Sequence, residues 1–288
     1  MKKYLKDLEA ELKKLKISKE EIAEILEDHK EMISEATAEG LSDDEIALKF
    51  GDPEKIAKEL YEDAFSEKTS TKAKPVFGTE SLKDYELIKS FQTLDTLKAV
   101  NISLISEDLI YFPYEGEAIE VYVIGKYREE DYTINFKDGT FNLQKSKRSN
   151  SGIFFAKKTP DFGLRVPAVQ LEEFKLNLIS GDAELEEINA DIIKLKTVSG
   201  DIEAKNLTSS NTIEVSVVSG DVELQSVVAQ GLEMTMVSGD VELRQANFDD
   251  SIYVNTVSGD VEANDVKVSE IQFKSVSGDF QGEEVYCN

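Results

Sequence analysis

Six aspartates recur along the C-terminal half of the chain: Asp182, Asp201, Asp221, Asp240, Asp260 and Asp279. Each closes a Ser-Gly-Asp triplet, and the serines fall 19, 20, 19, 20 and 19 residues apart between Ser180 and Ser277. Two residues beyond each aspartate stands a second carboxylate, at Glu184, Glu203, Glu223, Glu242 and Glu262, with Gln281 closing the series. Carboxylates in such number could work as an acid–base pair, ligate divalent ions or attract cationic partners. Catalysis needs one unlike pair in a cleft, whereas these acids are repeated identically and no loops interrupt the repeats to build a cleft. The Gly-Gly-x-Gly-x-Asp phrase of calcium-binding coils is absent, and the period is about twice as long. Two readings remain: solvated strand positions whose Asp and Ser oxygens bond locally, or a stripe that attracts divalent ions or positively charged peptides.

The elements that position this row follow from its period. A repeat near twenty residues marks an array in which each unit buries its apolar face against its neighbours. The leucine-rich phrase is missing, and Val, Ile, Thr and Ser dominate, which favours strands. The expected fold is a β-solenoid with coils of 19–20 residues. Stacked strands lie about 4.8 Å apart, so the aspartates form one ladder and the glutamates a second. Each like-charged neighbour pair then costs roughly 0.8 kcal/mol in bulk water, less with salt. Such charge also keeps exposed sheet from aggregating.

Two corner positions fit the phrase. Apolar residues alternate before each serine, as in Ile213 and Val215, and the phase then shifts to Val218, Val222 and Leu224. The first placement puts the corner just before Val218, with Val218 and Gly220 facing inward. The second puts it at Ser-Gly-Asp itself, with Gly220 at positive φ.

The rest of the chain bounds the function. Its 288 residues carry 33 basic and 58 acidic side chains, a net charge of −25. That balance argues against nucleic acid, whose phosphates need a basic footprint, and against anionic membrane surfaces. One cysteine, Cys287, leaves no internal disulfide or cysteine-based metal site. No signal peptide or membrane span is legible, so the sequence reads as cytoplasmic, with cell-surface association open through another export route.

Residues 1–65 have helix grammar. Tyr4, Leu5, Leu8, Leu12 and Leu15 recur at helical spacing, Ser18 with Glu21 forms a capping box, and Asp52 precedes Pro53. A small α-helical bundle is expected, with His29 as a packing residue on its second helix. Residues 66–84 read as a linker and 85–288 as the all-β domain, with the triplet repeats at 180–279. "FKDGTFNL" reads as a hairpin, "LISEDLIYF" as a decayed repeat with Glu107 in the glycine position, and Gln144–Lys158 as a basic, exposed excursion.

The stretch "GLSDDEIALKFGDPEKIAKEL" resembles the HAAS helical domain, and "VNISLISEDLIYF" with the Val-Ser-Gly-Asp repeats resembles the putative-adhesin β-solenoid family. The pairing is similar to LiaX-like proteins of Gram-positive bacteria. That resemblance implies a non-enzymatic binding or signalling protein of the cell-envelope stress response. Its partner would be a protein or a cationic peptide, and oligomers are compatible with it. HAAS domains sit beside PadR-type regulators, which implies the alternative of a cytoplasmic partner for such a regulator. The remaining alternative is a polysaccharide-active β-helix enzyme. The family supplies no catalytic residue and no cofactor.

Overall fold

A computed structural model describes residues 2–14, the isolated positions 22, 26, 30 and 53, and residues 82–93, 97–146 and 159–287. The chain divides into two compact units, 1–76 with 150–157, and 77–149 with 158–288.

In the first unit, α1 (Lys2–Lys14) is helical, with Tyr4, Leu8 and Leu12 buried on one face. Lys13 and Lys14 in its last turn pair with Glu9 and Glu11 one turn back, which suits the helix dipole. The other expected helices, and His29 with them, lie outside the described residues.

The second unit is a β-solenoid. Its regular part runs through β8 (Leu171–Ser180), β9 (Ala183–Glu186), β10 (Asn189–Ser199), β11 (Ile202–Ser209), β12 (Thr212–Ser219) and β13 (Val222–Ala229). It continues through β14 (Gly231–Ser238), β15 (Val241–Phe248), β16 (Ser251–Ser258), β17 (Val261–Val268), β18 (Glu270–Ser277) and β19 (Phe280–Cys287). Every strand from β12 on pairs in parallel with the strand two places earlier, so equivalent residues of successive coils stack. Their inward positions, such as Ile213, Val215, Val222 and Leu224, merge into one continuous core.

Each regular coil turns three times. The first turn is the Gly-Asp step between β12 and β13 and its equivalents. The second is a left-handed residue within the strand that follows the corner, at Asn206, Ser226, Gln245, Asp265 and Glu284, all with φ of 53–57°. It shifts the inward set from Val222 and Leu224 to Val227 and Ala229. The third falls between Ala229 and Gly231.

The opening coils break chain order. β2 (Ala99–Leu104) and β3 (Leu109–Tyr114) form a coil whose next neighbours are β8 and β9. On the other side of that coil lie β6 (Thr140–Lys145) and β7 (Asp161–Pro167), which come later in sequence. The chain therefore runs back past its first coil and then crosses over it. Two antiparallel additions cover this end: β4 (Ala118–Ile124) joins β7 to β1 (Glu86–Gln92), and β5 (Tyr132–Lys137) joins β6. The β5–β6 hairpin turns on Asp138 and Gly139, both at positive φ, as the two-residue turn of "FKDGTFNL" requires. Leu82, inside the stretch read as linker, is buried and lies over Gly163.

Candidate docking face

The Ser-Gly-Asp phrase lies at a corner, which corrects the inward placement of Val218 and Gly220. Val217 is buried and Val218 is 47% exposed. Strand alternation already assigns the inward positions of β12 to Ile213, Val215 and Val217, so the next residue must point out. Gly220 takes φ +136° at the turn, and its Cα faces the carbonyl oxygen of Gly200 in the preceding coil.

The aspartates form the expected ladder, and hydrogen bonds hold it in place. The backbone N–H of Asp201 donates to Oδ1 of Asp182 at 2.9 Å. Asp221 donates to Asp201, Asp240 to Asp221, Asp260 to Asp240 and Asp279 to Asp260, each at 2.8 Å. The flanking amides point the other way: Gly200 donates to Ser219 and Ile202 to Asp221 of the following coil. At the tight turn each carboxylate thus takes the place of the carbonyl that a straight strand would offer. Asp108 begins the ladder by accepting from Asp182 N–H at 2.8 Å, which makes "SED" the seventh copy of the corner. All seven aspartates remain exposed.

This bonding has a measurable consequence. Asp221→Ala removes the acceptor for Asp240 N–H and should cost about 1 kcal/mol in denaturant unfolding. Asp221→Asn keeps an oxygen there and removes one like charge, so its midpoint should stay within about 0.5 kcal/mol of the parent.

The glutamate column behaves differently. Glu184, Glu203, Glu223, Glu242 and Glu262 are in register with one another, and basic residues of the next column interleave with them. Lys205 pairs with Glu203 at 2.5 Å, and Arg244 bridges Glu223 and Glu242. Among the described residues no group of three or more His, Cys, Asp or Glu side chains is placed to hold a metal ion.

Beside the aspartate ladder runs a column that the first corner placement turns inward. Ile105, Ile179, Val198, Val218, Val237, Val257 and Val276 stand one residue before the corner serines, all 42–83% exposed. Seven rungs at about 4.8 Å give an aliphatic ridge roughly 29 Å long. Half-exposed side chains in that number reach the few hundred Å² at which apolar patches mark interaction surfaces. Ridge and ladder lie only three residues apart along each coil, so one face offers an apolar strip beside an acidic one.

A second cluster escaped the sequence reading. Glu107, fully buried, accepts from Tyr132 Oη at 2.7 Å, Lys145 Nζ at 2.6 Å, and the N–H groups of Ile105 and Ser106 at 2.8 and 3.0 Å. Lys145 Nζ also donates to Tyr132 Oη at 2.8 Å and lies over its ring. Burial pulls the Glu107 carboxyl upward, but these four donors outweigh it and hold the group below its ordinary value. Tyr132 is pushed above the usual phenol range, first by burial and then by Glu107. The cluster ties the β5–β6 hairpin to the first corner.

No helix among the described residues is long and apolar enough to cross a membrane. A HAAS profile matches residues 3–59. No curated protein matches the chain. Fourteen solved chains resemble it, among them a putative adhesin from Bacteroides fragilis with 12% identity over 69% of this chain and 97% of that one, at a TM-score of 0.43. A putative cell adhesion protein from Clostridium sporogenes has 10% identity over 69% and 100%, at 0.37. A putative lipid binding protein from Parabacteroides distasonis has 15% identity over 72% and 96%, at 0.38. The profile described as Toastrack DUF4097 matches residues 91–287, well over half of the 288, and the chain belongs to that family.

Proposed function

We propose that this protein is a non-enzymatic binding scaffold of the bacterial cell-envelope stress response, with the ridge and the aspartate ladder as its docking face. The domain composition, a Toastrack solenoid with a HAAS region, is that of an adhesin or signalling scaffold. The observation that carries the reading is the juxtaposition of Ile179–Val276 with Asp182–Asp279. A partner that fits presents aliphatic side chains beside basic ones, as an amphipathic cationic peptide does. Its apolar edge covers the ridge, while Lys or Arg residues reach the ladder, whose focused negative potential draws them in. The envelope-stress assignment and the likeness to LiaX rest on the paired domains. The HAAS match also supports the alternative of a regulator partner bound through residues 3–59, and fractionation of native cells distinguishes a surface from a cytoplasmic location.

The test is binding of a fluorescent synthetic peptide of alternating Lys and Leu to the full chain. Val218→Ser with Val237→Ser should weaken it about tenfold without loss of fold, because both residues are exposed. The triple variant Asp201→Asn, Asp221→Asn, Asp240→Asn should weaken it and flatten its salt dependence. Equal affinity for the parent and both variants would remove the docking face from the proposal.

A further inference from the structure

The two ends of the solenoid are finished differently. The first end is covered by β1, β4 and β5 in antiparallel pairing. At the other end, among the described residues, β18 pairs only with β16 and β19 only with β17. Their outer edges present a row of backbone N–H and C=O groups. The core also opens here. Ile252 and Val254 of β16 are 3% exposed, whereas Ile271 and Phe273, stacked on them, are only half-buried. Phe280, packed 5.7 Å from Phe273, is 39% exposed.

The edge strand is self-complementary. β18 opens Glu270-Ile271-Gln272-Phe273-Lys274, with Ile271 and Phe273 on the core side and the other three outward. Laid antiparallel on a copy of itself and centred on Gln272, it sets Glu270 opposite Lys274 twice and Ile271 opposite Phe273 twice. Every outward residue then meets an outward one, and every core residue meets core. An isologous two-fold contact requires this arrangement, since each pair must occur in both directions. Opposite charges directly across an antiparallel pair stabilise it, and like charges destabilise it.

We infer that the solenoid pairs end to end with a second copy of this chain, β18 against β18 about a two-fold axis through Gln272. The contact continues the sheet across the axis and covers Ile271, Phe273 and Phe280. Two chains at −25 each repel over long range, and at physiological ionic strength a Debye length of about 8 Å screens that repulsion while leaving contact pairs in place.

Charge exchange tests the register. Sedimentation velocity of the full chain at physiological salt should show a concentration-dependent monomer–dimer equilibrium. Lys274→Glu sets two carboxylates opposite each other on both sides of the axis and should weaken it on the order of tenfold; Glu270→Lys should do the same through paired ammonium groups. The double exchange, Glu270→Lys with Lys274→Glu, restores both pairs and should restore the dimer. All four side chains involved are outward, so circular dichroism should show every variant folded. A parent that stays monomeric up to its solubility limit overturns the inference. So does a dimer that neither single reversal weakens, or one that the double exchange fails to recover.

Discussion

Gly220→Val should destabilise the protein by about 3–5 kcal/mol, read as a lower denaturant midpoint at neutral pH. Two costs combine. A Cβ at Gly220 would lie 2.2 Å from the carbonyl oxygen of Gly200 and 2.7 Å from its carbonyl carbon, both backbone atoms of the preceding coil. That backbone is fixed by the Gly200 N–H bond to Ser219 at 3.2 Å and by the Asp221 N–H bond to Asp201 at 2.8 Å, so it cannot withdraw alone. Backbone strain adds to the clash, because φ +136° is a region that glycine alone occupies readily and that costs other residues about 1–3 kcal/mol. Val218→Lys is the control. On the inward placement it would bury a charge and unfold the coil; on the observed one it changes an exposed ridge residue and should stay within about 0.5 kcal/mol. A severe Val218→Lys with a mild Gly220→Val would reverse the corner.

The repeat period was legible because parallel stacking holds every coil to 19 or 20 residues, and the serines record that length directly. The Asp138–Gly139 hairpin was legible for a local reason: the turn needs two positive φ values, and Asp-Gly supplies them. "LISEDLIYF" was readable as a decayed coil because its Asp108 still bonds Asp182 N–H. The corner phase was harder. Either of two adjacent valines, Val217 or Val218, satisfies a two-residue alternation, and the backbone conformation of Gly220 separates the two placements. The signal for the second turn was present but unread: Val222, Leu224 and Val227 are spaced two and then three, which a straight strand does not allow. The reversed order of the opening coils leaves no such trace. It depends on which edge β6 and β7 find in space, and their residues would suit either side of β2 and β3.

The outward ridge and the burial of Glu107 escape sequence pattern for one shared reason. Sequence pattern equates aliphatic with inside and charged with outside, and functional or specifying positions break that equation. The ridge valines are aliphatic and exposed, while Glu107 is charged and buried. The ridge could have been found by asking why Leu104-Ile105, Leu178-Ile179, Val217-Val218 and Met236-Val237 put two consecutive apolar residues before serine, when strand alternation turns only one of each pair inward.

Glu107→Ala should cost about 3–5 kcal/mol at neutral pH, because it leaves Lys145, Tyr132 and the N–H groups of Ile105 and Ser106 without their common acceptor. The pH dependence has a fixed sign. Burial raises the carboxyl, but the four hydrogen bonds win, so its folded pKa lies below its unfolded value of about 4.3. Its contribution is therefore complete above about pH 4.3 and is lost as pH falls through the folded value. The other acids complicate the raw curve, since protonating them relieves the self-repulsion of a chain at −25. The difference between parent and variant removes that shared background. Urea midpoints from pH 7 downward should show the gap between parent and Glu107→Ala closing only on the acid side. Lys145→Met in the parent should widen the acid loss, because an unpaired buried carboxylate protonates earlier. Glu107→Leu with Lys145→Leu should recover part of the single-variant cost, since two apolar groups leave no buried charge without a partner. A gap that stays constant down to the acid limit would mean that Glu107 holds the hairpin by packing alone and that its charge has no part in fastening β5 and β6 to the first corner.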